Sequence, residues 1–228
     1  MPATNAIQKI GVPMLCIDTC SILDIMRDPT REGVRPLDRQ AALDVVSAAE
    51  AGRIECRMAE QVSTEFLEHD KVIQNEASEK LIKFQKQINQ INDLIAIYGT
   101  KHSVDVSHFD DHVVRARDVV ERWMVQLKTI IPSPSVPGKA FTRMNACLAP
   151  ARRGKDSSKD CLIYETVLEN VAELRRMGNT APVVFLSSNT KEYYTDGSVL
   201  NSDIASDFNT YNMAYAPNMS AARHFLGL

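Results

Sequence analysis

Short apolar runs alternate along the chain with longer segments whose apolar residues recur every three or four positions. Residues 12–17 are an apolar run bounded by glycine and aspartate, and residues 183–186 are another apolar run, which is the pattern of buried parallel strands. Residues 54–59 are predicted to form a further strand between them. Residues 39–51 and 160–177 carry apolar side chains at helical spacing, and a glycine follows each segment. This order of strand, helix, strand and helix predicts an α/β protein with a parallel sheet.

The middle of the chain has a longer helical pattern. Residues 61–98 contain neither proline nor glycine, and their later apolar residues fall at alternating steps of three and four, as do those of residues 108–130. Joined by a polar turn at 99–107, the two stripes predict an antiparallel helical hairpin over residues 70–135, inserted in a single domain over residues 1–228. The alternative, in which the inner halves of both stripes pack on the sheet, stays open.

The connection at residues 132–159 is rich in polar residues, prolines and basic residues, a composition that indicates an irregular, substrate-binding loop. Its end carries the densest basic group of the chain, formed by Arg152, Arg153, Lys155 and Lys159. Such a group would hold phosphates, and a solvated surface loop is the alternative.

Composition and charge restrict the class of protein. The 228 residues can form one large core, and 44% hydrophobic with 24% charged residues is usual for a folded globular protein. A net charge of −3 argues against nucleic-acid binding over the whole surface but allows a local basic groove. Five cysteines without a Cys-x-x-Cys pair favour reduced thiols over disulfides or a structural zinc. Without a signal pattern or an apolar run of about 20 residues, we expect a cytoplasmic protein with no membrane segment.

Polar residues follow the predicted strands at the edge where parallel sheets bind ligands. Asp18 follows the first strand, and Asn189 and Glu192 follow the last one. Glu65 lies early in the helix after the second strand, and Asp160 begins a further helix, where the helix dipole favours negative charge. We therefore expect these side chains to share one crevice.

Carboxylates that share a crevice repel one another unless a cation balances them. Oxygen ligands suit Mg²⁺ or Mn²⁺ better than zinc. Such an ion lowers the pKa of bound water and balances charge on a phosphate under attack. The acidic set therefore predicts a magnesium or manganese site suited to phosphodiester hydrolysis.

Each acidic residue also has a simpler structural role. Asp18 could cap the turn after its strand, and Asp160 could cap its helix. Glu65 and Glu192 could be solvated surface charges.

Four further residues are weaker candidates. Asp156 and Glu165 flank Asp160 and could face the same crevice. His108 and His112 have the spacing of a helical metal pair, but an exposed start of a helix is favoured because no third ligand is evident.

Four stretches resemble, in order, the motifs of PIN-domain nucleases. They are LCIDTCSIL around Asp18, VSTE ending at Glu65, KDCLIYE around Asp160, and SSNTKEY from Ser187 to Tyr193. The likeness is lost between Asp70 and Phe141, where the chain is longer than the helical arm of the small toxin ribonucleases and resembles a larger bacterial branch of PIN-like proteins.

The resemblance implies a three-layer α/β/α fold with a central parallel sheet, and a metal-dependent endoribonuclease that prefers RNA to DNA. Asp18, Glu65, Asp160 and Glu192 would hold Mg²⁺ or Mn²⁺. Asn189 would complete the catalytic set, but it stands where many members carry a fourth aspartate and adds no charge. Whether one or two ions bind therefore stays open.

Further residues are expected to contact the substrate. Thr19 or Ser187 would orient the attacking water or the phosphate, while Arg152, Arg153 and Lys155 would bind the substrate. The expected partner is nucleic acid, and an antitoxin or a second copy of the chain are the protein partners left open.

Other functions fit the sequence less well. A haloacid-dehalogenase-like phosphatase needs a second aspartate two residues after the first, where this chain has Cys20. A dinucleotide-binding Rossmann protein needs a Gly-x-Gly-x-x-Gly motif that the chain lacks. A non-catalytic PIN scaffold that binds protein or nucleic acid stays open, because Asn189 leaves the acidic set incomplete.

Overall fold

The computed structural model describes residues 11–99 and 102–228. Within them the strands are β1 (Met14–Ile17), β2 (Glu55–Ala59), β3 (Leu127–Ile130), β4 (Val183–Leu186), β5 (Tyr194–Thr195), β6 (Val199–Leu200) and β7 (Met213–Ala216). The α-helices are α1 (Thr19–Leu23), α2 (Pro36–Glu50), α3 (Glu60–Ile97), α4 (His112–Gln126), α5 (Val136–Asn145), α6 (Ser158–Arg176), α7 (Thr190–Tyr193), α8 (Ser202–Tyr211) and α9 (Met219–Phe225). A 3₁₀ turn at Ser107–Phe109 precedes α4.

The central sheet of the described residues has the strand order β3-β2-β1-β4-β7, and all neighbouring strands are parallel. From β1 the chain moves outward through β2 to β3, and then returns to the other side of β1 to form β4 and β7. The connections after β1 and β4 therefore leave in opposite directions and open a crevice at the carboxyl edge. β5 and β6 form a separate antiparallel ribbon.

Helices cover both faces of the sheet. α2 packs against α4 and α9, while α6 packs against α5 and α8. All four residues of β1 and of β4 are buried, as expected for central parallel strands covered on both faces. This arrangement confirms the predicted three-layer α/β/α fold with a central parallel sheet.

Most elements predicted from the sequence are present, with ends shifted by a few residues. β4 has the predicted bounds, and α6 and α3 each begin within two residues of their predicted starts. The prediction of helix through residue 130 is wrong at its end, because Leu127–Ile130 pairs with β2 as an edge strand. Leu127 and Ile130 are buried three positions apart, a spacing that a helix also satisfies, so the pattern did not separate the two structures.

The predicted loop at 132–159 is only partly irregular, because it contains the helix α5. β7, α8 and α9 were not predicted at all. These elements are short, and short apolar segments give a weak periodic signal.

The two halves of α3 differ in packing. The buried residues of this 38-residue helix all lie at or before Leu81, whereas Ile97 near its end is 76% exposed. Beyond Leu81, the rings of Phe84 and Phe109 lie 5.9 Å apart, so the second half contacts the turn before α4. Residues 100 and 101 of the predicted turn lie outside the described residues. The inserted hairpin over 70–135 stays a prediction, and that range includes the edge strand β3.

No helix in the described ranges combines the length and apolar character needed to cross a membrane.

Candidate functional site

The carboxyl ends of β1 and β4 meet at the crevice, and Asp18 lies between them. Asp18 follows β1 directly and is 6% exposed. Its Oδ1 accepts a hydrogen bond of 2.7 Å from the backbone N–H of Thr19, which caps α1. Its Oδ2 accepts a second bond of 2.7 Å from the hydroxyl of Ser187, the residue that follows β4. Asp18 thus caps α1, the simpler role that the sequence left open, and also links the two central strands at their ends.

Glu65 reaches the same crevice from α3. The Thr19 hydroxyl donates to Glu65 Oε2 at 2.8 Å, and Gln61 Nε2 donates to Oε1 at 3.3 Å. Because Thr19 is adjacent to Asp18, the first of these bonds holds α3 against the end of β1.

Asp160 and Glu192 enter the crevice from α6 and α7, and both contact one lysine. Lys155 Nζ lies 2.6 Å from Glu192 Oε1 and 3.6 Å from Asp160 Oδ2. Glu192 is 5% exposed, and its Oε2 is buried without a hydrogen-bond partner among the described residues. The lysine predicted to bind phosphate therefore balances carboxylate charge in this structure.

The four carboxylates influence one another electrostatically. Burial and then the charge of Asp18 raise the pKa of Asp160 to about 6, and Glu192 and Glu65 add to this effect while Lys155 opposes it. Burial is also the main cause that raises the pKa of Asp18, with the charge of Glu65 a smaller one. Burial and the neighbouring carboxylates therefore both disfavour ionisation of Asp160, and Lys155 offsets this only in part.

The donor set fits a hard divalent cation. The side chains of Asp18, Glu65, Asp160 and Glu192 offer the oxygen ligands that such a cation prefers. The Oε2 atom of Glu192 has no hydrogen-bond partner among the described residues and could contact a cation. Lys155 is the positive side chain nearest to Glu192 and Asp160. Nevertheless, no three Asp, Glu, His or Cys side chains of the described residues are already arranged to hold an ion. Binding would require these side chains to converge further.

Asn189 and the basic group are less closely tied to the carboxylates. Asn189 precedes α7, and its side chain makes no capping hydrogen bond to that helix. Arg152 and Arg153 are exposed and form no ion pair within the described part of the chain. Lys159 instead pairs with Glu68 on α3 at 3.1 Å.

The weaker candidates have other contacts. Asp156 precedes α6, and its Oδ1 accepts a hydrogen bond of 2.9 Å from the backbone N–H of Ser158, the first residue of that helix. Glu165 forms an ion pair of 2.5 Å with the buried Arg143. His108 is exposed and His112 is partly buried, and neither belongs to a metal-holding group in residues 11–99 and 102–228.

Sequence reasoning missed two residues that support the site. Tyr215 on β7 donates its hydroxyl to the backbone carbonyl of Ser187 at 2.7 Å. Cys20 Sγ lies 3.2 Å from Asp18 Oδ2 and 3.4 Å from Ser187 Oγ. The short run Met-Ala-Tyr-Ala before Pro217 was the available signal for β7 and its tyrosine, whereas nothing local distinguishes Cys20.

Comparison with known proteins gave one family match over most of the chain. A family model described as a PIN domain matches residues 15–193, from within β1 to the end of α7. That range includes Asp18, Glu65, Asp160 and Glu192. Searches of curated proteins and of solved structures gave no match.

Proposed function

The chain belongs to the PIN domain family, whose members are generally nucleases that use divalent metals, and from that premise we propose that it is a metal-dependent ribonuclease. The proposal rests on the meeting of Asp18, Glu65, Asp160 and Glu192 at the carboxyl edge of β1 and β4. These residues come from four separate elements, and nothing in the packing of the core requires their charges to be neighbours.

The four carboxylates would hold Mg²⁺ or Mn²⁺. When bound, such an ion lowers the pKa of a coordinated water and balances the charge that develops on the phosphate. The Lys155 side chain is 48% exposed, so its ammonium is free to leave Glu192 and contact a phosphate oxygen of the substrate.

The hydroxyls of Thr19 and Ser187 are engaged with Glu65 and Asp18, so we assign them the role of fixing these carboxylates. Direct contact of either hydroxyl with water or phosphate stays a prediction, as does a catalytic role for Asn189.

The choice of RNA over DNA rests on the family resemblance. The exposed Arg152 and Arg153 lie on the same loop as Lys155, where they would bind backbone phosphates near the carboxylates. An antitoxin or a second copy of the chain as partner, and a cytoplasmic location, also stay predictions.

Cleavage of labelled single-stranded RNA and DNA tests the proposal directly. We expect the wild-type protein to cut RNA with Mn²⁺ or Mg²⁺ and to stop in EDTA. Because it removes a central negative ligand, Asp18→Asn should lower the rate by about 100-fold or more. Asp118→Asn is the matched control, since Asp118 is exposed on α4, a helix that carries no residue of the site.

A partner-binding scaffold is the second candidate function. Lys155 already lies between Asp160 and Glu192 and supplies a positive charge there, and no three side chains of the described residues are arranged to hold an ion. Wild type and Asp18→Asn would then be equally inert with every metal and substrate, which would overturn the nuclease proposal.

A further inference from the structure

The four carboxylates of Asp18, Glu65, Asp160 and Glu192 are called the carboxylate site below. A cavity of about 280 Å³ lies beside this site, at the same edge of the sheet. Its walls come from α1 and the loop after it, from the start of α2, and from the segments that follow β4 and β7. Its lining combines charged, polar and apolar residues, among them Arg31, Arg35, Arg39, Ile25, Ser188 and Met219. We call it the arginine pocket.

The three arginines of the pocket differ in their partners. Arg31 and Arg35 each pair with an aspartate that also lines the pocket, at 2.9 and 3.0 Å. Arg39 forms no ion pair within residues 11–99 and 102–228. Its Nη2 donates to the backbone carbonyl of Arg27 at 3.1 Å, and its Nη1 is buried with no hydrogen-bond partner in those ranges.

An acceptor from outside the chain would satisfy the free N–H of Arg39. A buried donor without an acceptor costs about 1–3 kcal/mol, and more for a charged group. The planar guanidinium is suited to phosphate oxygens, to which it donates through two parallel N–H groups. Burial also lowers the pKa of Arg39, which indicates that its charge is poorly solvated in the free protein.

The arginine pocket and the carboxylate site share a wall. Ser188 lines the pocket, while its neighbour Ser187 donates to Asp18 at 2.7 Å. On α7, Thr190 lines the pocket and Glu192, two residues later, lies among the carboxylates. A polynucleotide bound at the carboxylates would therefore extend along this shared wall into the pocket.

We propose that the arginine pocket holds the nucleotide next to the cleaved phosphate of a single-stranded nucleic acid. Arg39 binds the phosphate of that nucleotide, and Ile25 and Met219 contact its base. A single strand is required because a base inside a duplex is stacked and cannot enter a cavity of this size. The inference rests on the proposed nuclease function.

Binding without cleavage tests the pocket. Asp18→Asn serves as the parent, and fluorescence anisotropy with a labelled single-stranded RNA of 12 nucleotides in EDTA gives Kd at several salt concentrations. Adding Arg39→Gln should raise Kd by about tenfold. It should also reduce the slope of log Kd against log salt concentration by roughly 0.7, which corresponds to the loss of one phosphate contact on a single strand. Arg53→Gln, which removes an exposed arginine outside the pocket lining, should change neither quantity.

The binding and cleavage results together separate the pocket proposal from the nuclease proposal. Unchanged Kd and salt dependence in Arg39→Gln, or no RNA binding by the parent, would overturn the pocket proposal. The nuclease proposal would still hold if the wild-type protein cleaved RNA. Thermal melting checks that Arg39→Gln folds. If it does not fold, Arg39→Lys, which keeps the positive charge but loses the planar pair of N–H donors, should weaken binding several-fold. Binding equal to that of the parent would then overturn the proposal.

Discussion

Lys155 and Asp160 show how single residues set the charge of the crevice. The ammonium of Lys155 is 3.6 Å from the Asp160 carboxylate and 2.6 Å from that of Glu192. It opposes the effect of burial on Asp160 without cancelling it, so the pKa of Asp160 stays raised, at about 6. Ionisation of Asp160 is therefore less favourable in the folded protein than for an aspartate in water.

This raised pKa predicts how stability depends on pH. The pKa of an unfolded aspartate is about 3.9, so the contribution of Asp160 is fully present below that pH and is lost as pH rises through about 6. In Asp160→Asn the side chain at this position cannot ionise. In EDTA, the free energy of unfolding of the variant relative to that of wild type should therefore rise by about 1–3 kcal/mol from pH 4 to pH 7. Urea unfolding at both pH values measures this difference.

Asp156→Asn is a control of opposite sign. Hydrogen bonds with Ser158 lower the pKa of Asp156. The ionised Asp156 therefore stabilises the wild-type fold once the pH is above this lowered pKa. At pH 7, Asp156→Asn should be slightly less stable than wild type. A difference between Asp160→Asn and wild type that does not change with pH would contradict the burial argument.

At the scale of elements, α4 shows why the buried face of a helix contributes more to stability than its exposed face. Trp123 is 0% exposed and Val125, two residues later, is 74% exposed. The sequence placed Trp123 on an apolar stripe, and α4 packs that stripe against α2 and α3. Its indole N–H has no partner in the described ranges, so its contribution to stability comes from packing rather than hydrogen bonding.

Trp123→Ala should lower the free energy of unfolding by about 3–5 kcal/mol, because it leaves a cavity in the core. Val125→Ala, on the outer face of the same helix, should change it by no more than about 0.5 kcal/mol. Urea unfolding monitored by circular dichroism measures both variants. Similar small losses for the two would show that α4 is not held against the core as described.

At the scale of the whole molecule, the candidate site joins parts that are distant along the chain. Its carboxylates follow β1 or lie on α3, α6 and α7, so a bound ion would hold these elements together. A ligand that binds only the folded state stabilises that state by mass action.

Mn²⁺ at about 100 times its Kd should therefore stabilise the fold by about 2.7 kcal/mol, which raises the melting temperature by roughly 5–10 °C in a chain of this size. Asp18→Asn should lose most of this shift and Asp118→Asn should keep it. Thermal melting with Mn²⁺ and with EDTA provides the measurement. An equal shift in both variants would place the ion outside the proposed site.

The sequence by itself determined the alternation of strands and helices, the fold class and the acidic residues at the strand ends. These depend on local periodicity and on the rule that parallel strands present their carboxyl ends at one edge. Asp18 and Asp160 could be selected in this way because each stands at the boundary of an element with a clear pattern.

Only the tertiary structure decided which groups meet. Leu127–Ile130 became a strand because it pairs with β2, and Lys155 entered the carboxylate site through a contact with Glu192, 37 positions away. The arginine pocket likewise combines segments that follow β1, β4 and β7. Such contacts depend on the order of strands in the sheet, and residues far apart in sequence leave no local pattern that reveals them.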